Sequence, residues 1–540
     1  EWDRLGEVHQ IVEYTYHNGY YDGVEKAFRG FEQVEEFSTG DESLADGELQ
    51  YTYDIGLETP CRAGRVLQMV HVDDGDTIIV HHDEYDQCGL DGVPDSGLLF
   101  DVEFWCLSAT EVELRERADS EDWVVQRQEF EYDGFGQRTV ERDRGVVSVG
   151  GSTTCDACNR AAGEYGLACG EGCVGDENIV VTDFVQPGED TDGVWVLGLP
   201  YRERIYPEDG PEEIDLYQEV LTYYDGPAFE GLPLGQASNG FVSRVEQRAD
   251  ADGRMVTAIR ARSDQHGNVV EQINPLGEVG GDAYISQYEM DALGLRELSV
   301  DVLLGTSDQG SERLHQELRY DPIWGEVASA TDLIRYSGDD PIHPVTQSIY
   351  SYDEFGRLAS RVESGDSVAS PTAVFSYELG EETVTITVAS RTESAGPLDA
   401  MRVTCTDGLG RDYQTRSLMG PDQWLVSGYT IFNRGGMPRE LFPSFISSSG
   451  ECDTEPPSTG LSSFIRYDSK GRRVEVEHPD GHGERMEYEP QRHLYFDEND
   501  TDENSPFFDT PEIEVVDGLE RVVARGRTAA DGHIEWYHFT

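Results

Sequence analysis

The stretch Tyr352-Asp353-Glu354-Phe355-Gly356-Arg357 decides the fold, because close copies of it return along the chain. In each copy an aromatic, apolar or β-branched strand end precedes Asp, which is followed by a short spacer, usually a Gly, and a polar residue. Asp accepts a hydrogen bond from the backbone two residues on, and Gly supplies a positive φ, so the phrase predicts a hairpin turn. The other copies begin at Trp2, Tyr132, Met290, Tyr320, Thr406, Tyr467 and Val516.

A chain that repeats this turn is predicted to be a series of β-hairpins, as in solenoids and rolled sheets. Residues 77–82, 123–132 and 383–388 support this, because they are β-branched, aromatic or alternating. Hydrophobic residues form 37% of the 540 residues, with 58 Gly and 27 Tyr. This mixture fits a sheet with two wetted faces, and no segment of about 12 residues has clear helical periodicity. The predicted fold class is therefore all-β.

The repeated turns also predict roles for their side chains. Asp133, Asp353 and Asp468 are expected to organise turns rather than to do chemistry. The arginines that follow, Arg138, Arg357 and Arg472, are expected to pair with strand carboxylates on a neighbouring hairpin, at about 0–1 kcal/mol for each exposed pair. Tyr rings at equivalent positions of the repeats are expected to stack as a ladder, which adds roughly 0.2–1 kcal/mol per pair.

The formal charge is −68, from 108 acidic and 40 basic residues, and the only lysines are Lys26 and Lys470. Such a field repels nucleic acid and anionic membrane surfaces, so neither is an expected partner. No run of about 18 apolar residues predicts a transmembrane segment. The chain opens inside a turn motif without an initiator Met or a signal peptide, so we expect it to be a middle piece of a longer protein.

Nine cysteines are present, and four of them cluster in a Gly-rich segment at Cys155, Cys158, Cys169 and Cys173. Two disulfides in an exported loop are the first interpretation, and a four-thiolate zinc site is the alternative. The spacing lacks a second pair separated by two residues, which weakens the zinc alternative. The five scattered cysteines are expected to be small buried hydrophobes or disulfide halves: Cys61, Cys88, Cys106, Cys405 and Cys452.

Other polar clusters are expected to be structural. His81 and His82 are adjacent on a predicted strand, so they point to opposite faces and do not easily share an ion. His478 and His482 lie in a predicted surface turn, and the acidic run 497–504 is expected to be a solvated loop rather than a Ca²⁺ site. The sequence contains no nucleophile elbow, phosphate loop or His-Glu-x-x-His helix. No catalytic residue, cofactor or metal ligand is assigned.

The repeats resemble the YD (RHS) repeats of bacterial secreted toxins and of animal teneurins. Three further phrases narrow the resemblance to the B component of the bacterial insecticidal toxin complexes and related plasmid-virulence-B-type proteins. They are Tyr14-Thr15-Tyr16-His17-Asn18-Gly19-Tyr20-Tyr21-Asp22-Gly23, Trp195-Val196-Leu197-Gly198-Leu199-Pro200 and Phe496-Asp497-Glu498-Asn499-Asp500-Thr501. Together with the repeats they span nearly the whole chain.

The resemblance implies a fold and a role. In that family, YD-repeat hairpins wind into a curved spiral sheet that forms a hollow shell, and the B and C components together enclose a cytotoxic C-terminal domain. Self-cleavage belongs to a repeat-associated core of the C component, with an Asp-Pro-x-Gly-Leu phrase. The nearest match here, Tyr320-Asp321-Pro322-Ile323-Trp324-Gly325, lies in mid-chain and lacks the Leu, so no protease residue is carried over.

The expected organisation has three parts: a β-rich end of the family's middle region (1–145), a Gly/Cys-rich insertion (146–178) and a YD-repeat shell segment (179–540). The expected function is structural encapsulation of a cytotoxic effector in a secreted, extracellular toxin, without enzyme activity. Expected partners are a C-component-like shell half or C-terminal effector, and a pore-forming A component. The alternative is an extracellular adhesion or cell-surface interaction protein built from YD repeats.

Overall fold

The computed structural model describes residues 2–3, 8–9, 11–73, 75–93, 103–116, 123–149, 177–187, 195–207, 216–307, 310–380, 383–458 and 460–539. Regular structure in these residues is almost entirely antiparallel β-strand. Helix in the described residues is limited to a 3-10 turn at Pro60–Arg62 and one α-helix, α1, at Glu498–Thr501. The predicted all-β class is confirmed.

Most strands form one long ladder in which nearly every strand pairs with the next along the chain. A separate short pair precedes it, β1 (Trp2–Asp3) with β2 (Val8–His9). The ladder strands are β3 Val12–Asp22, β4 Ala27–Ser38, β5 Gly47–Asp54, β6 Arg65–Asp73, β7 Asp76–Cys88, β8 Phe104–Leu114, β9 Val124–Tyr132, β10 Arg138–Val149, β11 Asn178–Phe184, β12 Pro200–Tyr206, β13 Gln218–Tyr224, β14 Val242–Arg248, β15 Met255–Ser263, β16 Val269–Ile273, β17 Ala283–Met290, β18 Glu297–Ser307, β19 Gly310–Tyr320, β20 Val327–Thr331, β21 Ile334–Ser337, β22 Asp340–Pro341, β23 Gln347–Tyr352, β24 Leu358–Val362, β25 Ala373–Leu379, β26 Val384–Ser390, β27 Ala400–Thr406, β28 Asp412–Gly420, β29 Gln423–Ser427 and, after the next two strands, β32 Phe445–Ser447.

A second sheet of nine strands follows. Its strands are β30 Thr430–Phe432, β31 Pro438–Leu441, β33 Ser463–Tyr467, β34 Arg473–Glu477, β35 Gly483–Glu489, β36 Arg492–Phe496, β37 Glu512–Val516, β38 Val522–Thr528 and β39 Ile534–His538. Both sheets are built from sequential hairpins. We call this second sheet the terminal sheet.

The ladder is open at its ends and forks once. Among the described residues, β3 pairs with β4 alone and β32 pairs with β29 alone. The fork lies at β19, whose residues 312–315 pair with β21 while its residues 318–320 pair with β20. The ladder then continues from β20 to β23, so the β21–β22 hairpin fills the fork.

The repeated turn has one structure at Asp133, Asp264, Asp353, Asp407, Asp468 and Asp517. In each, the Asp N–H donates to the carbonyl four residues on, at 2.8–3.0 Å across these turns. In the Asp353 turn, Oδ1 accepts from the N–H groups of Phe355 and Arg357, and Gly356 has φ of 78°. The predicted role of the turn Asp and Gly is therefore confirmed.

The predicted partners of the turn arginines are wrong at two of the three named positions. Arg357 Nε donates to its own turn's Asp353 at 2.8 Å, and Arg138 pairs with Glu141 on its own strand. Arg357 is the fifth residue of its turn and lies directly across from the first. In the Asp133 turn Gln137 holds that fifth position and donates to Asp133, so Arg138 lies one residue further along the strand. Arg472 does both, since it pairs with its turn's Asp468 and also with the distant Glu116.

The predicted stacked ladder of repeat tyrosines is also wrong. The hydroxyls of Tyr132, Tyr352 and Tyr467 donate to backbone carbonyls of the neighbouring strand, at 3.0, 2.8 and 2.7 Å. Each ring therefore reaches across the adjacent strand instead of standing over the next repeat Tyr. Arginine planes cover later tyrosines of the repeats, as Arg357 covers Tyr377 at 4.3 Å.

The hydrophobic core is divided into small clusters along the ladder and the terminal sheet. Of the five clusters of buried residues in the described part, the largest contains five residues, namely Val403, Cys405, Tyr413, Tyr429 and Phe442. The others contain three each. Most strand residues are half-buried on both faces. This distribution is typical of a single sheet with solvent on both sides, which the composition predicts.

Candidate functional site

The start of the ladder and the terminal sheet meet in a junction that we call the seam. It joins residues 40–45, His71 and Glu116 to Arg434 and residues 467–472. The Tyr467 N–H donates to the Ser43 carbonyl at 2.7 Å, and the Ala45 N–H donates to the Tyr467 carbonyl at 3.1 Å. The Arg434 N–H donates to Asp41 Oδ2 at 2.8 Å. The seam is thus closed partly by backbone hydrogen bonds.

Apolar packing supports these hydrogen bonds. Leu44 packs against a buried cluster in the terminal sheet formed by Ile465, Tyr467 and Val476. A Cβ placed on Gly435 would come within 2.8 Å of the Leu44 side chain, so the Gly allows this close approach. The terminal sheet therefore covers the loop between β4 and β5.

Glu116 is the main charged group of the seam. Its carboxylate accepts hydrogen bonds from Lys470 Nζ at 2.8 Å and from Arg472 Nη1 and Nη2 at 3.0 and 2.7 Å. The residue is 8% exposed and has φ of 44°. Burial raises the pKa of Glu116, but hydrogen bonds from Arg472 and Lys470 outweigh burial and hold the pKa below its ordinary value. Burial lowers the pKa of Arg472, but bonding to Glu116 raises it overall.

One histidine, His71, lies in the seam, and a second, His493, lies in β36 of the terminal sheet. His71 Nε2 is 3.0 Å from Ser469 Oγ, across 398 residues of sequence. Burial lowers the pKa of His71, and the nearby Lys470 lowers it further. Burial likewise lowers the pKa of His493, whose ring meets Tyr488 edge-on at 5.3 Å. Both imidazoles therefore favour the neutral state in the folded chain.

A cavity of about 490 Å³ opens beside the seam. Its lining includes Asp73, Ile78 and Glu116 from the start of the ladder, and Arg472 and residues 485–489 from the terminal sheet. Carboxylates in the lining are tied to arginines, as Glu116 is to Arg472 and Glu487 is to Arg485. This arrangement binds strands together, and it is the chemistry of a structural joint.

The seam requires the ribbon to wind. From β8 to β29 the ladder takes 19 strand-to-strand steps. At roughly 4.8 Å for each step, the path is about 90 Å long. A flat sheet would keep its ends that far apart. The hydrogen bond of 2.7 Å between Glu116, just after β8, and Arg472, just before β34, shows that the ladder instead returns to its start.

The predicted cysteine cluster, Cys155, Cys158, Cys169 and Cys173, lies outside the described residues. Four of the five scattered cysteines are halves of two disulfides. Cys88 is bonded to Cys106, and Cys405 to Cys452. The expectation for Cys61 is wrong, because this cysteine is free and exposed within the 3-10 turn.

The described residues include His81, His82 and the acidic run 497–504. His81 Nε2 contacts Asp83 at 3.0 Å and His82 Nε2 contacts Glu113 at 3.8 Å, so the adjacent imidazoles have different partners. The acidic run is not simply a loop, because residues 498–501 form α1. The side chains of Asp497 and Asp500 each accept a hydrogen bond from the other's backbone N–H and so cap this helix. Acidic residues in the first turn also interact favourably with the helix dipole.

Sequence reasoning missed the seam. Glu116 follows a strand without any motif, and His71 lies within β6. One signal was available, since Lys470 is one of only two lysines and lies inside a repeat turn. Nothing in the sequence pairs positions 354 and 356 residues apart.

Comparisons with known proteins agree with this architecture. Residues 3–53 match the family model described as the insecticide toxin TcdB middle/N-terminal region. Among solved structures, a crystal structure of TcdB2-TccC3 aligns with a TM-score of 0.74 at 13% identity, over 99% of this chain and 34% of that one. The Photorhabdus luminescens Tc holotoxin pore aligns with a TM-score of 0.72 at 13% identity, over 98% and 35%. No curated protein sequence matches.

These likenesses have a defined reach. The chain spans about a third of the solved chains it matches. At 13% identity, the structural match shows a shared fold alone. No helix in the described part of the chain is long and apolar enough to span a membrane. The chain is therefore similar to the TcdB middle/N-terminal region in the sequence of residues 3–53 and to TcdB2-TccC3 in the fold of nearly its whole length, which confirms the resemblance found in its repeats.

Proposed function

We propose that this chain is a wall segment of a toxin shell that encloses a cytotoxic effector. The observation that carries the proposal is the seam, in which Glu116, just after β8, is hydrogen-bonded to Arg472, just before β34, although the ladder path from β8 to β29 is about 90 Å long. A ring of that circumference is about 30 Å across. The small core clusters support an open interior, because a sheet folded flat onto itself would bury a continuous layer of side chains.

A partner is supported by the edge of β3. Among the described residues this strand pairs only with β4. Tyr14, Tyr16, Tyr21 and Phe28 lie on these two strands, and each is between 51% and 59% exposed. An unpaired edge with exposed aromatics invites further strands. We propose that a C-component-like shell half continues the wall, and that a pore-forming A component receives the assembled shell.

We propose that the chain has no catalytic role and that it acts outside the cell. Charged groups in the seam pair with one another, which is consistent with a structural joint. The proposed division keeps residues 1–145 as the end of the middle region, 146–178 as an insertion and 179–540 as the shell segment. In the ladder, β10 pairs directly with β11 across the insertion.

The test is protection of a cargo. The chain is produced with its natural flanks and with a C-component-like partner that carries its effector domain, and the complex is treated with protease and imaged by electron cryomicroscopy. We expect a lumen and a protected effector. Glu116→Lys should open the seam and expose the effector, whereas Glu354→Lys, at an exposed turn, should leave it protected.

A filled particle without a lumen would contradict containment. Equal digestion of the effector with and without the chain would contradict it as well.

A further inference from the structure

The turn that begins at His478 has the backbone of the repeat turns without Asp as its first residue. In His478-Pro479-Asp480-Gly481-His482 the His478 N–H donates to the His482 carbonyl at 2.7 Å, and the Gly481 N–H donates to the His478 carbonyl at 2.9 Å. The Asp468 turn has the same two bonds, both at 3.0 Å. His478 therefore occupies the position at which other turns place the Asp that caps the backbone. Among the described residues its imidazole accepts no hydrogen bond from the turn backbone and contacts Ser463 instead.

The imidazole of His478 faces two carboxylates. Its Nε2 is 3.5 Å from Glu484 Oε1 and 3.6 Å from Glu498 Oε1, and the three atoms all lie within 4.8 Å of one another. Its Nδ1 is 3.3 Å from Ser463 Oγ, which orients the ring. Nε2 is buried and has no hydrogen-bond partner.

These separations can be compared with those of a hydrogen bond and of two ligands on one metal ion. Nitrogen and oxygen joined by a hydrogen bond are about 2.7–3.2 Å apart. Two ligands of one tetrahedral Zn²⁺, each bonded at about 2.0–2.1 Å, are about 3.4 Å apart. The distances of 3.5 and 3.6 Å fit the second arrangement.

The local fold holds Glu498 in place. It is the first residue of α1, whose N-terminus is capped by Asp497 and Asp500. Thr501 Oγ1, at the other end of α1, donates to the Gly483 carbonyl at 2.5 Å. The helix is thereby fixed against the start of β35, one residue before Glu484.

The two carboxylates also lack a basic neighbour. Nearby strand carboxylates pair with arginine, as Glu475 does with Arg466 and Glu487 with Arg485. Within the part of the chain that the structure describes, Glu484 and Glu498 have only His478 as an ion-pair partner. Two facing carboxylates repel each other, and a divalent cation between them would remove that repulsion.

We propose that His478, Glu484 and Glu498 form a Zn²⁺ site in the terminal sheet. One imidazole and two carboxylates are a donor set that Zn²⁺ accepts with water as its fourth ligand, whereas Ca²⁺ takes six to eight oxygen ligands. The Ser463 hydroxyl orients the imidazole, as outer partners of metal-bound histidines do. The ion would tie α1 to the hairpin of β34 and β35.

The test uses the full chain with Cys155, Cys158, Cys169 and Cys173 replaced by Ser, so that thiolates do not add a second zinc site. After chelator treatment, ZnCl2 is titrated calorimetrically and the bound metal is counted by elemental analysis. We expect one Zn²⁺ per chain. Co²⁺ in its place should give the visible absorption of a tetrahedral ion.

Two variants remove ligands without changing the turn or the helix. His478→Asn follows another repeat turn, in which Asn433 holds the same position. Glu498→Gln changes a side chain that is 58% exposed, so it should not affect folding. Each should weaken Zn²⁺ binding at least about 10-fold. The matched control is His482→Arg, because other turns have Arg at this position, and it should bind as the parent does.

Absence of Zn²⁺ binding by the parent chain would overturn the proposal. Binding that survives both His478→Asn and Glu498→Gln would place the ion elsewhere and would overturn it too. An equal loss in His482→Arg would show that the variants act through the turn rather than through the ligands.

Discussion

Glu116 and Arg472 are 356 residues apart in the chain, yet their side chains share two hydrogen bonds of 3.0 and 2.7 Å. Arg472 belongs to a repeat turn and also pairs with that turn's Asp468. One arginine therefore links the repeat unit to the closure of the whole ribbon. Arg472 makes this long-range contact because the winding of the sheet brings the end of β8 next to it.

Replacing Glu116 by Gln should lower the free energy of unfolding by about 2 kcal/mol near neutral pH, since it removes the buried charged partner of two half-buried, hydrogen-bonded cations. The folded-state pKa of Glu116 lies below its ordinary value of 4.5. Its contribution is thus complete above that pH and is lost as pH falls through the lowered value. Melting curves of both proteins should differ at pH 7 and converge in acid. A constant difference at every pH would contradict this account.

Replacing His71 by Gln should make stability less sensitive to mild acid. Because burial lowers its pKa from 6.5, the folded state resists protonation while the unfolded state accepts it, so stability falls as pH drops below 6.5. Gln keeps a partner for Ser469 but cannot titrate. Melting temperatures between pH 7.5 and about 5 measure the slope. His533→Gln, in an exposed turn, is the control and should retain the parent slope.

Replacing Gly356 by Ala should cost more than replacing Gly410 by Ala. Both glycines have positive φ, 78° and 83°, so each Ala carries a conformational cost of about 1 kcal/mol. A Cβ on Gly410 meets nothing within 4 Å, whereas one on Gly356 comes within 2.9 Å of Trp324. Denaturant unfolding of the two variants should separate the steric cost from the conformational one. Equal losses would show that Trp324 moves freely.

Replacing Tyr352 by Phe should destabilise the chain by about 1 kcal/mol, because it removes the hydrogen bond from the hydroxyl to the Val327 carbonyl, 2.8 Å long. Tyr350, on the same strand, is the matched control, since its hydroxyl makes no hydrogen bond to a described residue. Tyr350→Phe should change the unfolding free energy by less than about 0.5 kcal/mol. If both variants behave alike, the repeat tyrosines act through their rings.

The sequence by itself determined the hairpins, because Asp and Gly at fixed spacing satisfy the turn backbone within five residues. It also determined the all-β class and the resemblance in which the repeats and three phrases agree. Only the tertiary structure decided which distant positions meet: Glu116 with Arg472, His71 with Ser469, and His478 with two glutamates. Turn chemistry is local and is written in neighbouring residues. The accumulated twist and bending of many strands sets the winding, and no short segment encodes that sum.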